Sequence, residues 1–163
     1  HILEAMAELR QRLDVRLVVL GKGRAYDTAV EKSRELGIED IVDFEGYVAE
    51  ADLPLYLNKA DAFVAPIFNT IQDIARCPSK MFMYVAYDRP VVTSKIGEAR
   101  ELFGTDYNYY FQPENLSDMV SRLEEALNCP TDWSPDWSSS DHEWEARTKD
   151  FDQWISMLKE EKT

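Results

Sequence analysis

The chain has 163 residues, of which 45% are hydrophobic and 12% aromatic. A chain of this length and composition can form one soluble domain with its own core, without a disulfide or a bound metal to stabilise it. No apolar run approaches the roughly 20 residues that a membrane-spanning helix needs, so the sequence predicts no transmembrane segment. Its 31 acidic residues outnumber 18 basic ones, for a net charge of -13. Such a molecule repels phosphate backbones and anionic lipids, so we expect no nucleic-acid partner.

Apolar spacing in the first part of the chain predicts helices and strands that alternate. Apolar residues at every third or fourth position predict a first helix already under way at His1, so we expect the chain to be part of a longer protein. The apolar run at 16–20 predicts a strand buried on both faces, which ends at Gly21. We expect Asp27 to cap the next helix and Gly37 to end it.

The same alternation continues to residue 127. Further strands are predicted at 41–44, 62–65, 90–93 and 108–111. Further helices are predicted to begin at Asp52 with Pro54, at Ser79 and at Leu116. Because no Asn-Gly or Asp-Gly pair indicates a hairpin, the strands should be parallel. Residues 1–128 are therefore predicted to form an α/β fold, a Rossmann-like doubly wound parallel sheet with helices on both faces.

Residues 129–163 are predicted to form a linker and a last helix that packs on the same domain. Pro, Ser and Asp break the periodicity of the linker, and Trp133 and Trp137 are expected to anchor it. Asp141 is expected to cap the helix, and His142 to be a solvated surface residue rather than a general base. The helix carries an apolar stripe of Trp144, Phe151, Trp154, Ile155 and Leu158. We interpret this stripe as core packing, with contact to a missing partner domain as the alternative.

The two cysteines, Cys77 and Cys129, form no CxxC pair and have no neighbouring histidine. Their spacing predicts neither a zinc site nor a disulfide framework. We interpret both as reduced thiols and expect a cytoplasmic protein with no bound metal.

Candidate ligand-binding residues follow the strands, because open parallel sheets bind ligands at the carboxyl ends of their strands. Gly21 and Gly23 follow the first strand and let backbone amides approach a phosphate or a base closely. Tyr26 stands where a dinucleotide-binding fingerprint needs a glycine, so a simple tight turn explains these glycines equally well. No catalytic residue is assigned.

A second candidate lies after the third strand. The loop from Pro66 to Pro78 is long for this architecture and is followed by Ser79 and Lys80 at the start of a helix. The free amides of a first helical turn and the charge of Lys80 favour an anion. An ordinary helix start with a solvated lysine explains the same residues.

Seven segments of the chain, in register, resemble one protein family. The segment from Pro78 to Val92 resembles the P-x-K-[LM]-x-E-Y-x-A-x-G-x-P-V-V segment of the group 1 (family 4) glycosyltransferases of the GT-B fold. The other six resemble that family's segments in the same order and lie at 16–23, 42–48, 60–66, 97–103, 107–113 and 144–145. The resemblance covers residues 3–155.

The resemblance implies a donor-binding C-terminal domain of a retaining hexosyltransferase of polysaccharide biosynthesis. A nucleotide diphosphate sugar would be its substrate, no separate cofactor would be needed, and the acceptor would bind a missing N-terminal domain. The isolated domain would be inactive or nearly so. By the same resemblance, the turn Gly46-Tyr47-Val48 would lie along the nucleotide base, and Ser79 and Lys80 would approach the diphosphate.

The chain departs from the family pattern within the same region. The glutamate that usually grips the donor ribose falls at Met83, and the first glutamate of the E-x7-E pattern falls at Ala75. The family's basic segment, which supplies an arginine and a lysine to the diphosphate, would lie upstream of this chain. Arg24 or Arg76 is a candidate to replace that charge. The alternative function is a degenerate, non-catalytic binding or assembly module.

Overall fold

Helices and strands alternate along the chain, as the apolar pattern predicts. The structure is a computed structural model that describes residues 1–130, 134–135 and 143–160, with side chains to residue 157. The helices are α1 (Ile2–Leu9), α2 (Tyr26–Glu35), α3 (Leu53–Leu57), α4 (Ile71–Ala75), α5 (Ser79–Val85), α6 (Glu98–Phe103), α7 (Leu116–Leu127) and α8 (Trp144–Glu160). The strands are β1 (Leu17–Leu20), β2 (Val42–Gly46), β3 (Phe63–Ala65), β4 (Val91–Ser94) and β5 (Tyr110–Phe111).

Every hydrogen-bonded strand pair in the described part of the chain is parallel, which confirms the predicted α/β fold. β1 pairs with β2, and β4 pairs with both β3 and β5. The strands therefore form a two-stranded and a three-stranded sheet, where the sequence predicted one.

The prediction that β1 is buried on both faces was wrong. Leu17 and Val19 pack against the hydrophobic core, whereas Val18 on the opposite face of the strand is 43% exposed. Val18 belongs to neither of the two core clusters.

Helices cover both faces of the three-stranded sheet, as predicted. Val92 of β4 packs in a cluster with α1 and α7, whose buried members include Leu9 and Leu123. Its neighbour Val91 packs on the other face, in a cluster with α3, α5 and α6 that includes Met81. Because successive strand residues point to opposite faces, the apolar run of β4 fills both cores at once.

Several element boundaries differ from the prediction. Ala25 occupies the N-cap position of α2, and Asp27 lies in its first turn, where a negative charge stabilises the helix dipole. The segment from Pro66 to Pro78 holds helix α4, capped by Thr70, rather than an uninterrupted loop. A helix of five residues is too short for apolar periodicity to reveal it. Gly37, predicted to end α2, does follow it with φ +65°.

The apolar stripe of α8 is exposed. Trp144 is 89% exposed, and Phe151 and Trp154 are more than half exposed, so the predicted core packing of these side chains was wrong. Trp133, Trp137, Asp141 and His142 lie outside the described residues, as does the side chain of Leu158. The domain boundary after residue 128 stays a prediction.

One half-buried hydroxyl ties the two ends of α6 to the sheet. Tyr110 Oη lies 2.8 Å from Ala99 O and 2.9 Å from Gly104 O, which share its single proton, and burial raises the pKa of this phenol, which keeps it protonated. We expect Tyr110→Phe to lower the free energy of unfolding by about 1 kcal/mol, measured by urea denaturation. Tyr87→Phe is the control, since the Tyr87 hydroxyl has no recorded hydrogen bond within the described residues. Equal losses in the two variants would contradict this role.

Candidate functional site

The candidate residues from the sequence lie at the ends of the strands or in the segments that follow them. Gly21 and Gly23 follow β1, Gly46 ends β2, and Tyr47 and Val48 come directly after it. The structure brings the first two loops together, because Gly21 N donates to Gly46 O at 2.6 Å. The roles predicted for these five residues stay predictions, but their common location at one sheet edge is a finding.

Tyr47 presents an aromatic ring to solvent while its hydroxyl is fixed. The side chain is 83% exposed, and its Oη donates to the backbone oxygen of Lys22 at 2.8 Å. An exposed ring held at its far end has less freedom to lose on binding than a free side chain. A planar ligand could therefore stack on it at a low entropic cost.

Tyr26 joins the same pair of loops, and the sequence analysis missed its contribution. The Lys22 ammonium lies over the Tyr26 ring, 4.9 Å from its centroid, and Tyr26 Oη donates to Phe44 O at 3.2 Å. In the sequence, Tyr26 is notable only because a glycine is missing there. Its contacts depend on how α2 returns over β2, which no local spacing reveals.

The segment after β3 positions a second group of charges. Arg76 Nε lies 3.0 Å from Asp73 Oδ1, and the other oxygen of that carboxylate accepts from Phe68 N at 3.0 Å. Thr70 Oγ1 accepts from Asp73 N at 3.1 Å. These bonds hold the segment in a fixed turn with the Arg76 guanidinium half exposed.

Ser79, Lys80 and Met83 belong to α5, at the end of this segment. Pro78 occupies the N-cap position and makes no side-chain capping hydrogen bond. Partial desolvation and, to a lesser extent, the charge of Arg76 lower the pKa of Lys80.

Three cations at this edge of the sheets are not neutralised by a described carboxylate, although Arg76 at the same edge is paired with Asp73 and Lys59 and Arg89 at the opposite edge are also without an ion pair among the described residues. Within the described residues, Lys22, Arg24 and Lys80 form no ion pair with a carboxylate. At the amino ends of the strands, Arg10 and Arg16 each lie 2.8 Å from an aspartate oxygen. An anion that approaches the carboxyl ends therefore meets cations whose charge no described carboxylate neutralises.

Gly97 allows α4 to pack against the start of α6. Its φ is +52°, and a Cβ atom added there would lie 2.7 Å from the backbone oxygen of Ile74. Any side chain at this position would push away the segment that carries Arg76. In the sequence, Gly97 begins one of the family-like segments, and local spacing does not reveal this close approach.

Two positions lack the carboxylates of the family pattern. Met83 is 39% exposed on α5, and Ala75 is exposed at the end of α4. Across the described residues, no three His, Cys, Asp or Glu side chains are grouped closely enough to hold a metal ion. The arrangement offers cations and an aromatic ring, which suit an anionic ligand with a planar group.

A shallow hollow lies beside the candidate site. It is too small to enclose a water molecule, and it lies between the segment after β3 and the start of α7, next to Phe68, Phe111 and Leu116. None of Lys22, Arg24, Arg76 and Lys80 lines it. Its mostly apolar walls make it a poor position for a phosphate group.

The chain was compared with known proteins and structures. The family model described as "Glycosyl transferases group 1" matches residues 1–129. No curated protein sequence gives a significant match. Among the matching solved structures is the apo form of the lipopolysaccharide outer core galactosyltransferase WaaB, with a TM-score of 0.58 and 17% sequence identity. The match covers 77% of this chain and 36% of the WaaB chain.

No helix in the described ranges is both long and apolar enough to cross a membrane. Both cysteines are free, with Cys77 exposed and Cys129 half-buried. The cytoplasmic location stays a prediction.

Proposed function

This chain belongs to the group 1 glycosyltransferases and has their GT-B fold, and on that premise we propose that its carboxyl-edge loops bind the nucleotide diphosphate of a sugar donor. The match to WaaB covers only 36% of the WaaB chain. The acceptor would bind a second domain, which lies outside this chain. Transfer of a hexosyl group with retention of anomeric configuration is part of the proposal. The isolated chain would then bind donor with little or no transfer.

The observation that carries the proposal is the distribution of charge at this edge. The whole chain has a net charge of -13, yet Lys22, Arg24 and Lys80 lie after the strands without an ion-pair partner among the described residues. Arg76 adds a half-exposed guanidinium that a single aspartate neutralises in part. A diphosphate is the part of a sugar nucleotide that needs such cations.

The base would lie on the opposite part of the same edge. The turn Gly46-Tyr47-Val48 places the exposed Tyr47 ring beside the loop of Gly21 and Gly23. Aromatic rings stack on nucleobases with little regard to base identity. The proposed ligand would therefore extend from Tyr47 at the base to Lys80 and Arg76 at the diphosphate.

These cations also suit the proposed transfer. When the bond from the sugar to the diphosphate breaks, negative charge grows on the departing nucleoside diphosphate. Fixed cations at that position stabilise the transition state more than the ground state and so accelerate the step. Lys80 would supply a full charge from α5, and no metal or cofactor enters this proposal.

A thermal-shift titration of the chain with UDP, GDP and ADP tests the proposal. A ligand that binds only the folded state stabilises it by about 2.7 kcal/mol at a hundred times its Kd, so the melting temperature rises with ligand concentration. We expect the nucleoside diphosphates to give a larger shift than inorganic pyrophosphate, because only they carry a base that can stack on Tyr47. No shift from any of them at millimolar concentration would contradict the proposal.

The lowered pKa of Lys80 gives binding a pH dependence. The protonated ammonium attracts the diphosphate, so we expect affinity to fall as the pH rises through the pKa of Lys80, below its ordinary value. In Lys80→Arg the guanidinium stays protonated, so the decline should move to higher pH. Calorimetric titrations from neutral to alkaline pH measure both effects. An identical decline in the two proteins would show that Lys80 is not responsible.

A second candidate function follows from Met83 and Ala75, which replace the family's carboxylates with apolar side chains. A thioether accepts only weak hydrogen bonds and cannot grip a ribose hydroxyl as a carboxylate does. The protein would then bind a nucleotide sugar or a similar ligand without transferring the sugar. Donor turnover by the longer protein distinguishes the two: enzymes release nucleoside diphosphate when acceptor is added, and a binding module does not.

A further inference from the structure

We propose that Tyr26 is a positioning residue of the donor site, which holds Lys22 and its loop in place for the diphosphate. This inference rests on the proposed function and goes one step beyond it. Tyr26 is the first residue of α2, and its side chain is half-buried rather than exposed to a ligand. Its role would therefore be to orient Lys22, not to touch the nucleotide.

Tyr26 links the loop after β1 to strand β2 through its aromatic ring and its hydroxyl. Its ring lies under the Lys22 ammonium, 4.9 Å from the centroid, and its hydroxyl donates to Phe44 O at 3.2 Å. The backbone oxygen of Lys22 in turn accepts from Tyr47 Oη at 2.8 Å. The Lys22 ammonium therefore contacts Tyr26, and the Lys22 backbone oxygen is hydrogen-bonded to Tyr47.

The loop backbone is bonded at both glycines, by Gly21 N to Gly46 O at 2.6 Å and by Tyr26 N to Gly23 O at 3.1 Å, so Tyr26 acts on the Lys22 side chain more than on the backbone. Lys22 lies between two glycines, and a Cβ atom added at either Gly21 or Gly23 would contact nothing within 4 Å. Glycine-flanked backbone is flexible when no side chain fixes it. Without the ring of Tyr26, we expect the Lys22 ammonium to move freely, so that ordering it on a diphosphate costs more conformational entropy.

Tyr26 also has a structural contact, which the test must separate from positioning. Its ring packs edge-on against Phe44 with centroids 5.7 Å apart. Tyr87 packs in the same way against Phe63, at 6.1 Å, and precedes β4 at the opposite edge. Tyr87→Leu is therefore a matched control for the stability lost in Tyr26→Leu.

The experiment compares Kd for the nucleoside diphosphate that binds best among UDP, GDP and ADP, together with the melting temperature of each variant. We expect Tyr26→Leu to weaken binding about fivefold while Tyr87→Leu leaves the affinity unchanged at a similar loss of melting temperature. Tyr26→Phe keeps the ring under Lys22 and should restore most of the affinity. The salt dependence of Kd should also decrease in Tyr26→Leu, since one cation is less well placed.

Lys22→Met tests the same contact without touching the core, in case Tyr26→Leu does not fold. It should weaken binding at least as much as Tyr26→Leu, and the double variant should lose less than the product of the two effects. Equal affinities for Tyr26→Leu and Tyr87→Leu, or an unchanged Kd in Lys22→Met, would overturn the role of Tyr26. A wild-type chain that binds no nucleotide would overturn the proposed function itself, and this inference with it.

Discussion

Replacing Lys80 with alanine is expected to weaken nucleoside diphosphate binding about tenfold, which corresponds to about 1.4 kcal/mol. Lys80 forms no ion pair with a described carboxylate, so its charge is available to the ligand. Its pKa is already lowered by desolvation and by Arg76, so the folded chain gains little from this charge when no ligand is bound. The free energy of unfolding should therefore change by less than about 0.5 kcal/mol.

Lys59→Ala is the matched control for this prediction. Lys59 is an exposed lysine between α3 and β3, at the opposite edge of the sheet. The same substitution there removes the same net charge but leaves the proposed site intact. Titration calorimetry should give a near wild-type Kd for Lys59→Ala. If both variants weaken binding equally, the effect is one of net charge, and Lys80 is not part of the site.

Gly97→Ala is expected to lower the free energy of unfolding by about 3 kcal/mol and to weaken nucleotide binding as well. The new Cβ atom would lie 2.7 Å from the backbone oxygen of Ile74, at a φ of +52° that L-residues rarely adopt. To relieve the clash, α4 must move away from α6 and take Arg76 with it. Urea denaturation and calorimetry measure the two losses.

Gly37→Ala separates backbone strain from the clash. Gly37 also has a positive φ, +65°, but an added Cβ atom would contact nothing within 4 Å. This variant should lose only about 1 kcal/mol of stability and keep its nucleotide affinity. A loss in Gly97→Ala no larger than that in Gly37→Ala would mean that the packing of α4 on α6 does not restrain the site.

Apolar runs predicted most of the fold because each buried strand leaves a local signal. The run in β4 is buried on both faces, and helices cover it from both sides. The similar run in β1 predicted burial on both faces, which was wrong, because burial depends on what covers a strand and not on its own composition. Helices α4 and α6 escaped detection because five or six residues complete too few turns for a periodic pattern, and neither has the Asp and Pro start signal that revealed the equally short α3.

The candidate site was predicted only in part, for a related physical reason. Loops after strands can be located from sequence, which placed Gly21, Gly46 and Lys80 at the carboxyl ends of the strands, where the structure has them, whereas their role in binding stays a prediction. Tyr26 and Gly97 act through contacts between segments that are far apart in the sequence. The spacing of neighbouring residues does not reveal that Lys22 lies over the Tyr26 ring or that Gly97 lies against the backbone oxygen of Ile74.

Chemical-shift mapping with a nucleoside diphosphate tests the central claim most directly, because it locates the ligand on the chain. We expect saturable amide shifts at residues 21–23, 46–48 and 76–80, where the glycines, Tyr47 and Lys80 lie. Amides at the opposite edge, such as those of Asp40 and Asp61, should not change. Shifts confined to the opposite edge, or none at millimolar nucleotide, would contradict a donor site at the carboxyl ends of the strands.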